Sequence, residues 1–280
     1  MSYRTLVDTA LLAEHLTDPD WVVVDCRHDL LKPEAGRIAY AKSHIPGARF
    51  THLDQDLAGP KTGANGRHPL PDPEALAAKL GAAGIDASKQ VVAYDAQEAV
   101  NASRLWWLLR WLGHDAVAVL DGGWHKWMAE ERPYSAEVPR PAAKRFSARP
   151  DNGWVDVGYV LAHLRQPEML VLDARSPARF RGEAEPIDPV AGRIPGSANR
   201  FYRENLAERC CFKPAAQLRA EFEALLGGRP LRQVVHSCGS GVSTCHNMLA
   251  MEIAGLTGSL LYPGSWSEWC ADPARPVARG

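Results

Sequence analysis

The 280-residue sequence has no apolar run near the ~20 residues a helix needs to cross a bilayer, so no membrane span is expected. Its opening residues, Met-Ser-Tyr-Arg-Thr-Leu-Val-Asp, lack a basic stretch followed by an apolar one, so no secretory leader is expected. Cysteine is scarce. Six in a chain of this length are too few for a disulfide scaffold, and they include no Cys-x-x-Cys and no Cys/His pair at zinc spacing. The expectation is reduced thiols in a cytoplasmic protein without metal or cofactor, and the adjacent Cys210 and Cys211 read as two unpaired thiols. An excess of one charge sign is missing too: 32 Lys+Arg face 33 Asp+Glu, a formal net charge of −1. No global field pulls such a chain toward nucleic acid or an anionic membrane. What is present, 46% hydrophobic and 23% charged residues, is ordinary for a globular protein long enough for one large or two average domains.

The chain repeats itself. Val22-Val-Val-Asp-Cys-Arg27 resembles Leu170-Val-Leu-Asp-Ala-Arg175, and His44-Ile-Pro-Gly-Ala48 resembles Arg193-Ile-Pro-Gly-Ser197. Gln90-Val-Val-Ala-Tyr-Asp95 resembles Gln233-Val-Val-His-Ser-Cys238, and Asp121-Gly-Gly-Trp-His-Lys-Trp127 resembles Pro263-Gly-Ser-Trp-Ser-Glu-Trp269. Four matches in the same order indicate a duplicated unit. In the first copy, Trp21–Asp25, Val91–Tyr94 and Ala116–Leu120 read as buried strands, with helical spacing over Pro73–Leu80 and Ser103–Leu112. In the second, Leu170–Asp173, Gln233–Ser237 and Gly258–Tyr262 read as strands, and Leu218–Leu226 and Thr244–Ala254 as helices. Short strands alternating with helices predict an α/β fold of two domains, each a mostly parallel sheet flanked by helices. The proline-bearing stretch Pro133–Pro150 reads as the connection, giving domains at 1–135 and 151–280 with a linker at 136–150.

Ligand sites in open α/β sheets form at the carboxyl ends of strands. Asp95 and Cys238 hold equivalent places there. After Cys238 the chain runs Gly-Ser-Gly-Val-Ser-Thr into a helix, which predicts a cup of backbone N–H groups at a helix N-terminus, suited to a thiolate. Glycines 239 and 241 allow the backbone to curl around sulfur. The corresponding loop after Asp95 carries Glu98 and no thiol; its acidity opposes anion binding, which leaves one catalytic and one supporting half. Cys245, His236 and the trio Trp106, Trp107 and Trp111 read as packing residues.

The loop Cys238-Gly-Ser-Gly-Val-Ser-Thr244 resembles the active-site loop of the rhodanese superfamily, nearest to the two-domain 3-mercaptopyruvate sulfurtransferases, whose loop reads Cys-Gly-Ser-Gly-Val-Thr-Ala. Asp173-Ala-Arg-Ser-Pro-Ala-Arg-Phe-Arg-Gly182, Ile194-Pro-Gly196 and Tyr262-Pro-Gly-Ser-Trp266 resemble the same family, and the similarity spans both halves. It implies tandem rhodanese domains with the site in the cleft between them. It also implies transfer of sulfur from a small-molecule donor to a thiol, cyanide or thioredoxin-type acceptor through a persulfide of Cys238. The family's catalytic set maps onto Cys238, Ser240, His68 and Asp54. Substrate binding maps onto Arg179, with Gly239, Gly241, Val242, Ser243 and Thr244 forming the sulfur cup. A second substrate arginine of the mercaptopyruvate enzymes maps onto Ile187, which leaves Arg67 or Arg181 as candidates for the missing contact. Rhodanese-like phosphatases carry an arginine six residues after the cysteine; Thr244 stands there, against phosphate chemistry. A neutral Ser240, where thiosulfate-preferring relatives place a cation, favours mercaptopyruvate as donor. Thiosulfate:cyanide transfer and a non-catalytic sulfur carrier are the alternatives.

Overall fold

The computed structural model describes residues 2–280. The chain separates into two compact units. The first holds the chain up to Gly59, Pro71–Asp151 and Ala207–Phe212; the second holds Pro60–Leu70, Asn152–Leu206 and Lys213–Gly280.

In the first unit the order is β1 (Leu6–Val7), α1 (Thr9–Glu14), β2 (Trp21–Asp25), α2 (Ala35–Lys42), β3 (Arg49–Phe50), α3 (Leu53–Asp56), α4 (Pro73–Ala82), β4 (Gln90–Tyr94), α5 (Val100–Trp111), β5 (Val117–Leu120) and α6 (Gly123–Ala129). The sheet runs β1-β5-β4-β2-β3, every pairing parallel. The valines of β2, β4 and β5 are buried on both faces, the burial that a helix-covered parallel sheet produces. Asp8 and Asp72 cap α1 and α4 by accepting backbone N–H groups, and Pro73 starts α4 where no amide is needed. Trp106, Trp107 and Trp111 are buried along α5, as their spacing predicted.

The second unit continues with α7 (Val157–His163), β6 (Leu170–Asp173), α8 (Pro177–Arg181), β7 (Ala198–Asn199), α9 (Ala215–Leu226), β8 (Val234–Ser237), α10 (Thr244–Ile253), β9 (Leu260–Leu261) and α11 (Ser265–Trp269). Its sheet runs β7-β6-β8-β9, again parallel throughout, and a bridge from Trp154 to Leu261 stands where β1 pairs β5 in the first unit. Asp156 caps α7 as Asp8 caps α1.

The duplication extends to buried charge. After β2, Arg27 donates to Asp25 (2.6 Å) and to the carbonyl of Ser43, with its guanidinium 4.6 Å from the Trp124 ring centroid. After β6, Arg175 donates to Asp173 (2.7 Å) and to the carbonyl of Gly192, 4.9 Å from the Trp266 ring. Each arginine thus ties its strand end to the segment before Ile-Pro-Gly and to the Trp of the last repeated motif. Burial of such a pair requires excellent geometry and further hydrogen bonds, which the carbonyls of Ser43 and Gly192 supply.

Two features differ from the expected organisation. The linker 136–150 is bonded to the first unit: Lys144 donates its N–H to Gly81 (2.8 Å) and Arg149 to Leu112 (2.9 Å), Asp151 just beyond it donates to Trp111 (3.0 Å), and Phe146 is buried beside His114. These bonds strap the stretch along the first unit. The compact units also interleave in sequence, since 60–70 cluster with the second unit and 207–212 with the first. Proline content signals an irregular path but not what the path adheres to.

Candidate active site

In the second unit β8 delivers Cys238 to the sheet's carboxyl edge, and α10 begins six residues later. The loop is held from beneath by the start of α11. Cys238 donates its N–H to Ser265 Oγ (3.1 Å), and the carbonyls of Cys238 and Gly239 accept from the N–H groups of Trp266 (3.0 Å) and Ser267 (2.9 Å). The Cys238 side chain is buried, and its sulfur accepts the Gly241 N–H at 3.2 Å. Gly241 has φ +75°, and a Cβ there would lie 2.3 Å from the Pro263 carbonyl oxygen, so the turn around sulfur has room for glycine alone. Val242 and Thr244 are buried behind the loop and Ser243 immediately precedes α10. Cys245 is buried inside α10, its thiol on the Gly241 carbonyl. His236 is wholly buried on β8 near Ser259 Oγ (3.1 Å), and burial drives its pKa down to about 3.

Residues 60–70 bring two further predicted residues to this loop. Ser240 Oγ lies 2.7 Å from His68 Nδ1, both groups buried. Arg67 is anchored by its N–H to Ser267 Oγ (3.0 Å). A Cβ on Gly239 would lie 2.8 Å from Arg67 Nη2 and 3.5 Å from Arg179 Nη2, so both guanidiniums stand against the loop at the residue after the cysteine. Arg181 is elsewhere: its half-exposed side chain pairs with Glu183. Ile187 is 39% exposed, its N–H on Glu185.

Two buried carboxylates, which the sequence reading missed, hold these arginines. Glu185 accepts from Arg179 Nε (3.1 Å) and Nη2 (2.6 Å), from Arg175 Nη1 (3.2 Å) and from the N–H groups of Ile187 and Asp188. Burial pushes the Glu185 pKa up, but these donors outweigh it and hold it below the usual value. Asp188 accepts from Arg179 Nη2 (3.1 Å) and from Arg67 Nη1. There burial wins, and the Asp188 pKa is raised against the pull of Arg67 and Arg179. The available signal was the acidic pair flanking Pro-Ile immediately downstream of two arginines.

Asp54 belongs to the first unit. It lies on α3, with its carboxylate 3.7 Å from His28 Nε2. His28, His52 and Asp54 are the one group among the described residues whose side chains cluster as metal ligands do. His52, however, receives the N–H groups of Asp54 and Gln55 on Nδ1, which puts its proton on Nε2, where Pro33 O accepts it at 3.1 Å. A neutral imidazole so engaged has no lone pair left for a metal.

The counterpart of the cysteine loop shows what has replaced sulfur. At the N-terminus of α5 the Asp95 carboxylate accepts four backbone N–H groups: Gln97 (2.8 Å) and Ala99 (2.9 Å) on Oδ1, Asn101 (2.7 Å) and Ala102 (2.9 Å) on Oδ2. The acidic sequence predicts a loop that opposes anions. In the fold the cup survives and one of its own carboxylates fills it.

Paired parallel sheets with one intact cysteine cup are the architecture of a tandem rhodanese protein. The rhodanese-like domain family matches residues 8–130 and 156–272, and the chain belongs to that family. It is 46% identical over 283 aligned positions, covering all of both chains, to a probable 3-mercaptopyruvate sulfurtransferase of Pseudomonas aeruginosa. It is 35% identical to human 3-mercaptopyruvate sulfurtransferase over 85% of this chain and 81% of that one. It is also 35% identical to a putative thiosulfate sulfurtransferase of Mycobacterium tuberculosis, over 99% and 98%. Among solved structures, 3-mercaptopyruvate sulfurtransferase from Leishmania major superposes with a TM-score of 0.84 at 28% identity, over 95% of this chain and 74% of that one. No helix among the described residues is long and apolar enough to cross a membrane.

Proposed function

We propose that this chain is a sulfurtransferase that takes sulfur from 3-mercaptopyruvate and passes it to a thiol or cyanide through a persulfide on Cys238. The observation that carries this reading is the Cys238 thiol on the Gly241 N–H at a helix start, with Arg67 and Arg179 side by side at Gly239. The relatives named 3-mercaptopyruvate sulfurtransferase support the same donor.

In the first step the Cys238 thiolate attacks the donor's thiol sulfur. The carbon–sulfur bond breaks, its electron pair goes to the carbon beside the ketone as the enolate of pyruvate, and a protonated persulfide is left on Cys238. The enolate then takes a proton and leaves as pyruvate. Ser240, hydrogen-bonded to His68, is the proton donor, with Arg179 and Arg67 binding the donor's carboxylate. In the second step an acceptor thiolate or cyanide attacks the outer sulfur and Cys238 departs as thiolate, a double displacement. The N–H groups of residues 239–244 stabilise sulfur anions in both steps. The family resemblance adds Asp54 as the relay's carboxylate, an assignment for Asp54→Asn to test. A thioredoxin-type protein acceptor and a cytoplasmic setting accompany this reading.

The test is pyruvate release from mercaptopyruvate and sulfite release from thiosulfate, with mass spectrometry for the extra sulfur on Cys238. Expected are faster pyruvate release and loss of both signals in Cys238→Ser. Activity surviving that substitution overturns the mechanism. Faster sulfite release favours thiosulfate, a reading supported by the mycobacterial relative's name and by two guanidiniums suited to a dianion.

A further inference from the structure

We propose that Asp188 is a resident carboxylate occupying the place of the donor's anionic group on Arg67 and Arg179, and that it must give way when the donor binds. This deepens the reading above and rests on it.

The charges balance without a ligand. Arg67, Arg175 and Arg179 face Asp173, Glu185 and Asp188 in one buried to half-buried network. With all three carboxylates ionised the cluster is neutral and offers an incoming anion no net attraction. An anion that takes the donors these acids hold displaces one of them. Asp173 and Glu185 are poor candidates. Asp173 takes three contacts from Arg175 and one from that residue's backbone N–H. Glu185 is gripped by two arginines and two backbone N–H groups. Asp188 differs: its carboxylate bonds the two guanidiniums and no backbone group.

Those two guanidiniums are the pair that stand against Gly239. Asp188 therefore bridges the groups best placed to bind an anion beside the cysteine, with one oxygen on each arginine. A carboxylate of the donor has the same charge and, by bridging the same two guanidiniums, competes with Asp188 for them. Exchange of one carboxylate for another keeps the hydrogen bonds of both arginines, so the cost is that of displacing Asp188, and it appears in KM.

Asp188→Asn separates this from a purely structural role. The amide keeps the shape but removes the charge that competes with the donor. The expected result is a fall of about tenfold in KM for mercaptopyruvate. Pyruvate, which has the carboxylate but no sulfur, is the second probe. Its Kd, measured by calorimetry on Cys238→Ser and on Cys238→Ser/Asp188→Asn, is expected to fall by a similar factor. A gain in affinity is not what a damaged fold produces. Unchanged or weaker pyruvate binding in the double variant overturns the proposal and makes Asp188 a prop for the arginines. Absence of turnover in the unsubstituted protein overturns the sulfur-transfer reading instead, while the pyruvate comparison still decides the role of Asp188.

Discussion

The two units end equivalent strands with different side chains in the same place. Where β4 stops, Asp95 folds its carboxylate into four N–H groups at the start of α5; where β8 stops, the Cys238 sulfur takes one N–H from Gly241 before α10. The first arrangement is saturated and closed to chemistry. The second holds a nucleophilic atom on the Gly241 N–H, where the first holds a carboxylate. Reactivity here follows the atom that the cup holds.

The strongest way to break this comparison is to install the first unit's solution in the second. Cys238→Asp is expected to lower sulfur transfer by at least about 10³-fold, the loss of the nucleophile, while thermal denaturation shows no fall in Tm. A large Tm loss would mean that the two cups are not alike. The converse change removes the plug: Asp95→Ala leaves four buried amides without their acceptor and is expected to cost roughly 3 kcal/mol in urea denaturation. A cost near zero would make the carboxylate incidental.

Within the second unit, Ser240→Ala is expected to lower kcat for mercaptopyruvate about 100-fold, the usual size of a lost proton donor. The discriminating measurement is thiosulfate turnover, whose leaving group needs no proton and which should change less. His236 stands where Ala93 stands in the first unit, and burial holds its pKa near 3 in the fold. The unfolded chain takes up a proton at His236 below about pH 6.5 and the folded chain does not. The contribution is complete above that pH and declines as pH falls, by roughly 2 kcal/mol at pH 5. His236→Ala should flatten the pH dependence of unfolding between pH 7.5 and 5; an unaltered slope would put the acid sensitivity elsewhere. The smallest effect is expected of Ile187→Arg. A third cation near an existing pair should lower KM for mercaptopyruvate by about threefold, and steady-state kinetics reads it.

The fold was legible because burial writes directly into composition. The valine runs at 22–24 and 91–92, the helix spacing and the four repeated motifs locate both sheets and their helices. Cys238 and its loop were legible because glycines at 239 and 241 have a steric reason to be there. What escaped were contacts distant in sequence. The strap of Lys144, Arg149 and Asp151 is made through backbone groups, which carry no residue signature. The carboxylates on Arg67 and Arg179 depend on a loop more than a hundred residues from Arg67. Asp95 escapes for a different reason: its charge is visible in the sequence, but its place as the acceptor at its own helix start is not.

The interleaving of the two units governs how the molecule can be dissected. A fragment ending at 135 would forfeit the strap that covers Gly81, Leu112 and Trp111, and one beginning at 152 would carry the thiol loop but neither Arg67 nor His68. Each fragment lacks a piece encoded in the other, 207–212 or 60–70. Expression of isolated halves should yield polypeptides that need one another to complete their folds, so complementation in trans, rather than trimming at the repeat boundary, is the way to separate the nucleophile from its plugged twin.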